Sequence, residues 1–247
     1  MTELKLNSGS NFDLWRGIGE GIQMARPKVI LFDVNETLLD LTPVKESIGN
    51  ALGGRPELVP LWFTTLLQYS LATTVADKYF DFAEIGAACL LMVAKNHAVE
   101  LSEDAAKKAI APMRTLPPHP DVIPAVERLR DANYRLFTLT NSSKAAMAEQ
   151  MTHAGLTNLF DGLLSVENVG KYKPHAEVYR WAAGMVEADV SECMLVAAHG
   201  WDVAGAAWVG MKTAFVARPG QQMFPLGPVI DITVPSLTEL PGELERL

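Results

Sequence analysis

Four short polar segments, each at the end of an apolar run or in a loop after one, carry residue types that could do chemistry. They contain Asp33, Thr140 with Asn141, Lys173, and Asp202. A carboxylate can attack an electrophilic centre and divide one difficult displacement into two easier steps through a covalent intermediate. A hydroxyl and an amide can hold an anionic substrate group, and a neighbouring lysine keeps the attacking carboxylate ionised. The set therefore predicts a nucleophile, an anion clamp, a cation, and a second acid that positions the lysine and the hydrolytic water.

Each segment also has a structural interpretation. Asp33 and Asp202 could cap helices, and Lys173 could be a solvated surface lysine. Taken singly, each segment favours that interpretation. All four occur in order at successive strand ends, however, and ligands bind at the carboxyl ends of the strands in open parallel sheets. The ordered set therefore favours a functional site.

The elements that must position these residues follow from hydropathy. Residues 28–32 are an apolar run typical of a strand buried on both faces, and strands alternate with helices from residue 121 onward. Apolar residues recur at helical spacing between 43 and 116, before a proline-rich segment at 117–120. These patterns predict an α/β fold: a Rossmann-like parallel sheet with helices on both faces and an inserted helical cap. The predicted division is a tail at 1–26, a core at 27–41 and 119–247, and a cap at 42–118.

Composition limits the classes of partner. The chain has 247 residues, with 21 Lys and Arg against 29 Asp and Glu, which gives a net charge of −8. Such an acidic chain is not expected to bind nucleic acid or an anionic membrane surface. No apolar run is long enough to span a bilayer, and the polar tail, with its amphipathic turn around Phe12 and Trp15, does not resemble a secretory signal. The two cysteines, Cys89 and Cys193, fit a reducing cytoplasm.

With these motifs in place, the sequence resembles the haloacid dehalogenase superfamily, most closely the L-specific 2-haloacid dehalogenases. The resemblance covers residues 27–210. Four motifs carry it, at 32–38, 140–142, 172–179 and 201–206, with a looser match in the cap at 62, 68–70 and 79–82.

The resemblance implies the superfamily fold and a role for each matched residue. Asp33 would attack carbon 2 of a small 2-substituted carboxylic acid and form an ester intermediate. The substrate carboxylate would be held by Thr140 and Asn141 together with backbone N–H groups after Asp33, at Val34 and Asn35. The resemblance further implies that Thr37 and Lys173 keep Asp33 oriented and charged, with Tyr179 nearby. Asp202 would hold Lys173 and order the hydrolytic water, and Phe82 and Trp201 would form apolar walls. It also implies that the protein is a homodimer.

Two positions separate this chain from the phosphatases of the superfamily. Those enzymes carry an acid two residues after the nucleophile, where this chain has Asn35. They also use an acid four residues before the counterpart of Asp202 to bind magnesium, where this chain has Ala198. Too few hard oxygen ligands remain for Mg²⁺. We therefore expect carbon-centred chemistry without a metal or another cofactor.

Two departures from the dehalogenases leave the leaving group open. The residue after Trp62 is Phe63, where the family has an arginine that draws off the halide, and His199 replaces the usual asparagine. His199 could be a structural histidine or a general base beside Asp202. Without this arginine, either another group binds the departing halide or the leaving group is not a halide.

A strained cyclic amine needs no binding site for a departing group, because its nitrogen stays attached to the product after the ring opens. The alternative function is therefore the ring opening of azetidine-2-carboxylate, with Asn35 or Glu36 contacting the ring ammonium. A second alternative is a non-catalytic binding protein with the same fold.

Overall fold

Six parallel strands form one sheet at the centre of the molecule. The computed structural model describes residues 26–247, so the amphipathic turn predicted in the tail lies outside the described residues. The strand order is β3-β2-β1-β4-β5-β6, and every neighbouring pair is parallel. This confirms the predicted α/β class. The strands are β1 (Val29–Phe32), β2 (Arg135–Thr140), β3 (Gly162–Ser165), β4 (Cys193–Ala197), β5 (Lys212–Val216) and β6 (Ile232–Val234).

The central strands owe their position to their composition. Every residue of β1 and of β4 is buried, as expected for strands covered on both faces. Asp33 directly follows β1, Asn141 directly follows β2, and His199 lies two residues beyond β4. Because these three strands are hydrogen-bonded neighbours, their polar ends meet at one edge of the sheet.

In residues 26–247, five helices flank the sheet, and some boundaries differ from those predicted. The sequence pattern predicts a helix over 174–186, but the helix begins at Ala176, where the His175 ring accepts the N–H of Glu177. The pattern also predicts a helix over 202–209, but this helix begins at Gly200, which places Asp202 in its first turn. The flanking helices are α5 (Val122–Asp131), α6 (Lys144–His153), α7 (Ala176–Met185), α8 (Gly200–Trp208) and α9 (Leu240–Glu245).

Four helices are inserted between β1 and β2, and we call them the cap helices. A capping box formed by Asp81 and Glu84 starts α3, which satisfies N–H groups that a helix terminus leaves unpaired. Helices α2 and α3 pack closely, because the Trp62 indole donates to the carbonyl of Gly86 at 2.9 Å. The cap helices are α1 (Thr42–Ala51), α2 (Val59–Val75), α3 (Phe82–Asn96) and α4 (Glu103–Ile110).

The apolar stripe of α3 is mostly core. Cys89, Leu90 and Val93 are buried, whereas Met92 is 37% exposed. Across residues 26–247, no helix combines the length and the apolar character needed to cross a bilayer.

Candidate active site

Asp33 is the residue on which the buried hydrogen bonds converge. Its Oδ1 accepts from the Lys173 ammonium at 2.9 Å, and its Oδ2 accepts from the Thr37 hydroxyl at 2.7 Å. The hydroxyl oxygen of Thr37 in turn accepts the N–H of Ala198 at 2.9 Å. Burial opposes ionisation of Asp33, but Lys173 and His199 outweigh it and hold the pKa of this carboxyl well below its usual range. Asp33 is therefore an oriented anion at neutral pH.

Lys173 links Asp33 to the second acid. Its buried ammonium donates to Asp33, to the carbonyl of Leu139 at 2.8 Å and to Asp202 Oδ2 at 2.6 Å, which uses all three of its protons. Burial lowers the pKa of Lys173, but the two carboxylates outweigh burial and raise it. The Tyr179 hydroxyl donates to Asp202 Oδ1 at 2.6 Å. The structure thus brings together these four of the residues predicted from sequence.

A glycine allows this close approach of two helices. A Cβ added to Gly205 of α8 would lie 2.5 Å from Cβ of Pro174 and 2.8 Å from the Tyr179 hydroxyl. Any side chain here would push Tyr179 away from Asp202. The glycine of the motif at 201–206 is therefore required for packing.

Hydrogen-bond donors are left available beside Asp33. The side-chain oxygen of Asn141 accepts the N–H of Lys173 at 3.1 Å, and the Thr140 hydroxyl accepts the N–H of Ser142 at 3.1 Å. Within the described part of the chain, neither the NH₂ group of Asn141 nor the backbone N–H groups of Val34 and Asn35 have a hydrogen-bond partner. We call these donors, with Thr140, the anion clamp.

The Asn35 side chain points toward the end of β2 and helix α6. Its NH₂ group donates to the Ser142 hydroxyl at 3.2 Å, and its oxygen accepts from the Gln150 amide at 3.0 Å. Its oxygen accepts from one donor and keeps a second lone pair for the expected contact with a ring ammonium, which stays a prediction. Gln150 and Ser142 were not predicted as site residues, and Gln150 lies in α6, outside every motif.

The His199 ring lies against Asp33 and Glu36. Its Nε2 is 2.9 Å from Glu36 Oε2, and its Nδ1 is 3.3 Å from Asp33 Oδ2. Burial lowers the pKa of His199, but these two carboxylates outweigh it and raise the pKa to about 9. At neutral pH the ring is therefore a cation and a donor. A base role stays a prediction for the ester intermediate, in which Asp33 no longer carries a charge.

Two aromatic rings stack on His199, one from each part of the molecule. The Trp201 ring lies 5.1 Å away at an interplanar angle of 25°, and the Phe63 ring of α2 lies 6.2 Å away at 27°. Phe63 thus brings the cap helices over the site where an imidazolium lies. Cations are attracted to the faces of aromatic rings.

Glu36 holds His199 in place and was not among the residues predicted to act on a halogenated substrate. It has a left-handed backbone with φ of 63°. Its carboxylate also accepts from Lys45 at 2.5 Å and from the Gln221 amide at 3.0 Å. In the sequence, Glu36 is marked by its position three residues after Asp33, whereas nothing in the sequence marks Gln221.

Phe82 lies at a cavity between the cap helices and the core. The cavity has a volume of about 970 Å³, and Phe82, Ser142 and Gln150 are among the residues that line it. Phe82 also packs against Tyr172, with ring centroids 5.6 Å apart. It is therefore next to the Lys173 segment, and its contact with substrate stays a prediction. No cluster of three or more His, Cys, Asp or Glu side chains suited to a metal ion occurs in residues 26–247.

One class of hydrolases is defined by two features together. These are a parallel sheet with helices inserted after its first strand and a lysine-bound aspartate at the end of that strand. Residues 27–210 match the family described as haloacid dehalogenase-like hydrolase, and the chain belongs to it. This confirms the resemblance seen in the sequence and identifies the protein as a hydrolase.

Individual relatives carry dehalogenase names. The (S)-2-haloacid dehalogenase of Pseudomonas sp. strain YL is 29% identical over 211 residues, covering 85% of this chain and 91% of its own. The haloacetate dehalogenase H-2 of Moraxella sp. strain B is 27% identical over 213 residues, covering 86% and 95%. The solved L-2-haloacid dehalogenase of Xanthobacter autotrophicus superposes with a TM-score of 0.80 at 26% identity, covering 89% and 98%. These matches support the L-2-haloacid type, whereas none bears on azetidine-2-carboxylate.

Proposed function

We propose that the protein hydrolyses small 2-haloacids through an ester on Asp33. The observation that carries this proposal is the buried Asp33 carboxylate, fixed by Thr37 and Lys173 beside N–H donors that have no partner in the described part of the chain. Relatives that cover most of the chain and are named as 2-haloacid dehalogenases support it. In this proposal residues 27–41 and 119–247 form the core domain, and residues 42–118 form a cap over it.

The first half-reaction follows from the donors around Asp33. The anion clamp would bind the substrate carboxylate, which places carbon 2 within reach of an Asp33 oxygen. Attack forms the O–C2 bond and breaks the carbon–halogen bond, and the electron pair leaves with the halide. Water then attacks the Asp33 carbonyl carbon and the bond between this carbon and the ester oxygen breaks; one water proton ends on the hydroxyl of the released 2-hydroxy acid, the other is released to solvent, and the Asp33 carboxylate is regenerated. Asp202 acts by holding Lys173 and ordering this water.

The charge of His199 favours halide over a ring nitrogen as the leaving group. The protonated ring pairs with the carboxylates of Asp33 and Glu36 and repels the ammonium of an azetidine ring that would pair with them. Glu36, the acid that could bind such an ammonium, already pairs with His199 and Lys45. Comparing 2-chloropropionate with azetidine-2-carboxylate as substrates, by halide or hydroxy-amino acid release, tests this preference directly.

The nucleophile is tested by Asp33→Asn and by single turnover in ¹⁸O water. We expect Asp33→Asn to lose turnover, because a neutral amide is a poor nucleophile, while the exposed Asp77→Asn remains active. In the wild type, ¹⁸O should enter the Asp33 carboxylate, as mass spectrometry of the peptide would show. Label found only in the product would indicate direct attack by water. If the wild type binds 2-haloacids without turnover, the protein is the non-catalytic binding protein instead.

We also propose that the protein is a homodimer joined through its cap. Six large apolar side chains on the cap helices or in the loop between α2 and α3 are exposed, and exposed apolar surface of this kind marks interaction sites. They are Leu61, Tyr69, Leu71, Val75, Phe80 and Met92.

We propose the cytoplasm as its location. The two cysteines, Cys89 and Cys193, are both buried free thiols, and burial raises the pKa of each to about 11. Such unpaired, unreactive thiols are typical of proteins that function in reducing compartments.

A further inference from the structure

The anion clamp has two halves that lie on different loops. One half, the backbone N–H groups of Val34 and Asn35, follows β1. The other half, Thr140 and the Asn141 amide, lies at the end of β2. Backbone pairing between β1 and β2 extends only as far as Phe32, which comes before the first half. The separation of the two halves therefore depends on contacts beyond the sheet.

A side-chain hydrogen bond joins the two loops directly. The Asn35 NH₂ group donates to the Ser142 hydroxyl at 3.2 Å, and Ser142 is the residue after Asn141. The Ser142 backbone is fixed in turn, because its N–H donates to the Thr140 hydroxyl at 3.1 Å and its carbonyl accepts from the Ser165 hydroxyl at 2.6 Å. A shift of Asn35 relative to Ser142 therefore moves one half of the clamp relative to the other.

Gln150 determines which way the Asn35 amide points. The Gln150 NH₂ group donates to Asn35 Oδ1 at 3.0 Å and to the carbonyl of Met113 at 2.7 Å. Because a backbone carbonyl can only accept, this end of the Gln150 amide must be the NH₂ group, and the Asn35 oxygen must face it. The NH₂ group of Asn35 is then left for Ser142. All three polar side chains are buried, which protects these bonds from competition by water.

We propose that Asn35, held by Gln150, is a positioning residue that sets the separation of the two halves of the anion clamp and thereby the affinity for a small carboxylate. This inference rests on the proposed function, in which the clamp binds the substrate carboxylate. The Asn35 side chain acts through its own backbone N–H and through Ser142, without touching the substrate.

The geometry of a carboxylate makes this separation important. Hydrogen bonds to a carboxylate are about 2.7–2.9 Å long, and they weaken steeply when their geometry departs from the preferred one. Both halves of the clamp must reach the two oxygens of a single carboxylate. A displacement of about 0.5 Å between the halves is enough to weaken binding.

The test measures the binding of propionate, a carboxylate without a leaving group, by NMR titration. We expect Ser142→Ala and Gln150→Met each to raise the Kd for propionate roughly fivefold, the effect of one lost hydrogen bond. Ser142→Thr keeps the hydroxyl and should bind propionate as tightly as the wild type. The single-turnover rate of Asp33 alkylation at saturating 2-chloropropionate should change less than about twofold, because the change affects binding rather than the displacement.

Two comparisons distinguish positioning from general damage to the site. Ser143→Ala, at the neighbouring serine, whose side chain makes no capping hydrogen bond, is the matched control and should leave the Kd unchanged. Because Ser142 and Gln150 both act through Asn35, the double variant Ser142→Ala/Gln150→Met should raise the Kd no more than the larger single change does. A merely structural role would lower the single-turnover rate together with the affinity.

The outcomes separate this inference from the proposed function. If the wild type binds propionate but forms no ester on Asp33 from 2-chloropropionate, the proposed function fails, and the propionate Kd values still decide the role of Asn35. Unchanged Kd values in both single variants, or effects that add in the double variant, overturn the inference, as does a wild type that binds no propionate. Circular dichroism confirms that each variant is folded, and if Gln150→Met is not, the comparison of Ser142→Ala with Ser142→Thr decides.

Discussion

At the scale of single residues, the buried site is balanced rather than positive. Three carboxylates lie there with two buried cations, and a third, half-exposed cation pairs with one of them from outside, so attraction of a substrate carboxylate depends on N–H donors rather than on excess charge. The backbone N–H groups after Asp33 and the Asn141 amide supply such donors. Desolvated, oriented dipoles of this kind are effective in a low-dielectric site. The charged groups are Asp33, Glu36 and Asp202, with Lys45, Lys173 and His199.

The pKa of His199 predicts an alkaline limit for activity. Asp33 and Glu36 face the ring, and Lys173 and Lys45 pair with those carboxylates from behind. Because the protonated ring pairs with Asp33 and helps to keep this carboxylate ionised and oriented, and its pKa is about 9, kcat/KM should be constant through neutral pH and fall above about pH 9. The low pKa of Asp33 gives no acid limit near neutrality. kcat/KM profiles of wild type and His199→Asn test this, and a descending limb that survives in the variant contradicts the assignment.

At the scale of elements, sequence predicted the sheet and the order of the motifs well. β1 and β4 are short, apolar and followed by polar residues, so hydropathy alone places Asp33 and His199 at strand ends. It could not predict that His199 contacts Glu36 instead of Asp202, because that depends on the turn after β1 and its left-handed Glu36. Gln150 and Gln221 reach the site from α6 and from the loop after β5, and no local pattern marks them.

The start of α8 is expected to be sensitive to one added methyl group. A Cβ on Gly200 would lie 2.9 Å from Cα of Met223 and closer still to the carbonyl oxygen of Gln222. These are backbone atoms that cannot rotate away, so Gly200→Ala should destabilise the fold by about 1–3 kcal/mol. Activity should also fall, since His199 and Trp201 flank this residue.

The matched control is Gly184→Ala in α7, where nothing lies within 4 Å of an added Cβ. Helix propensity predicts a stability gain there of at most about 1 kcal/mol. Urea unfolding of both variants makes the comparison. Equal stabilities would mean that the loop after β5 does not hold the start of α8.

At the scale of the whole molecule, the cap connects the site to the surface. Helix α2 places Phe63 over His199 on one side and exposes Leu71 on another. The net charge of −8 keeps copies of the chain apart in general, so association requires a specific apolar contact. The exposed side chains of the cap provide the surface on which such a contact can form.

The cap surface is tested by introducing charge where a dimer would bury apolar area. Leu71 is 40% exposed on α2 and Met92 is 37% exposed on α3. Because an unpaired buried charge is costly at an interface, Leu71→Glu/Met92→Glu should convert a wild-type dimer to a monomer in sedimentation velocity. Val229→Glu, at an apolar side chain that is 95% exposed on the core, should leave the dimer intact. A monomeric wild type at micromolar concentration, or a double variant that still dimerises, would rule out this cap interface.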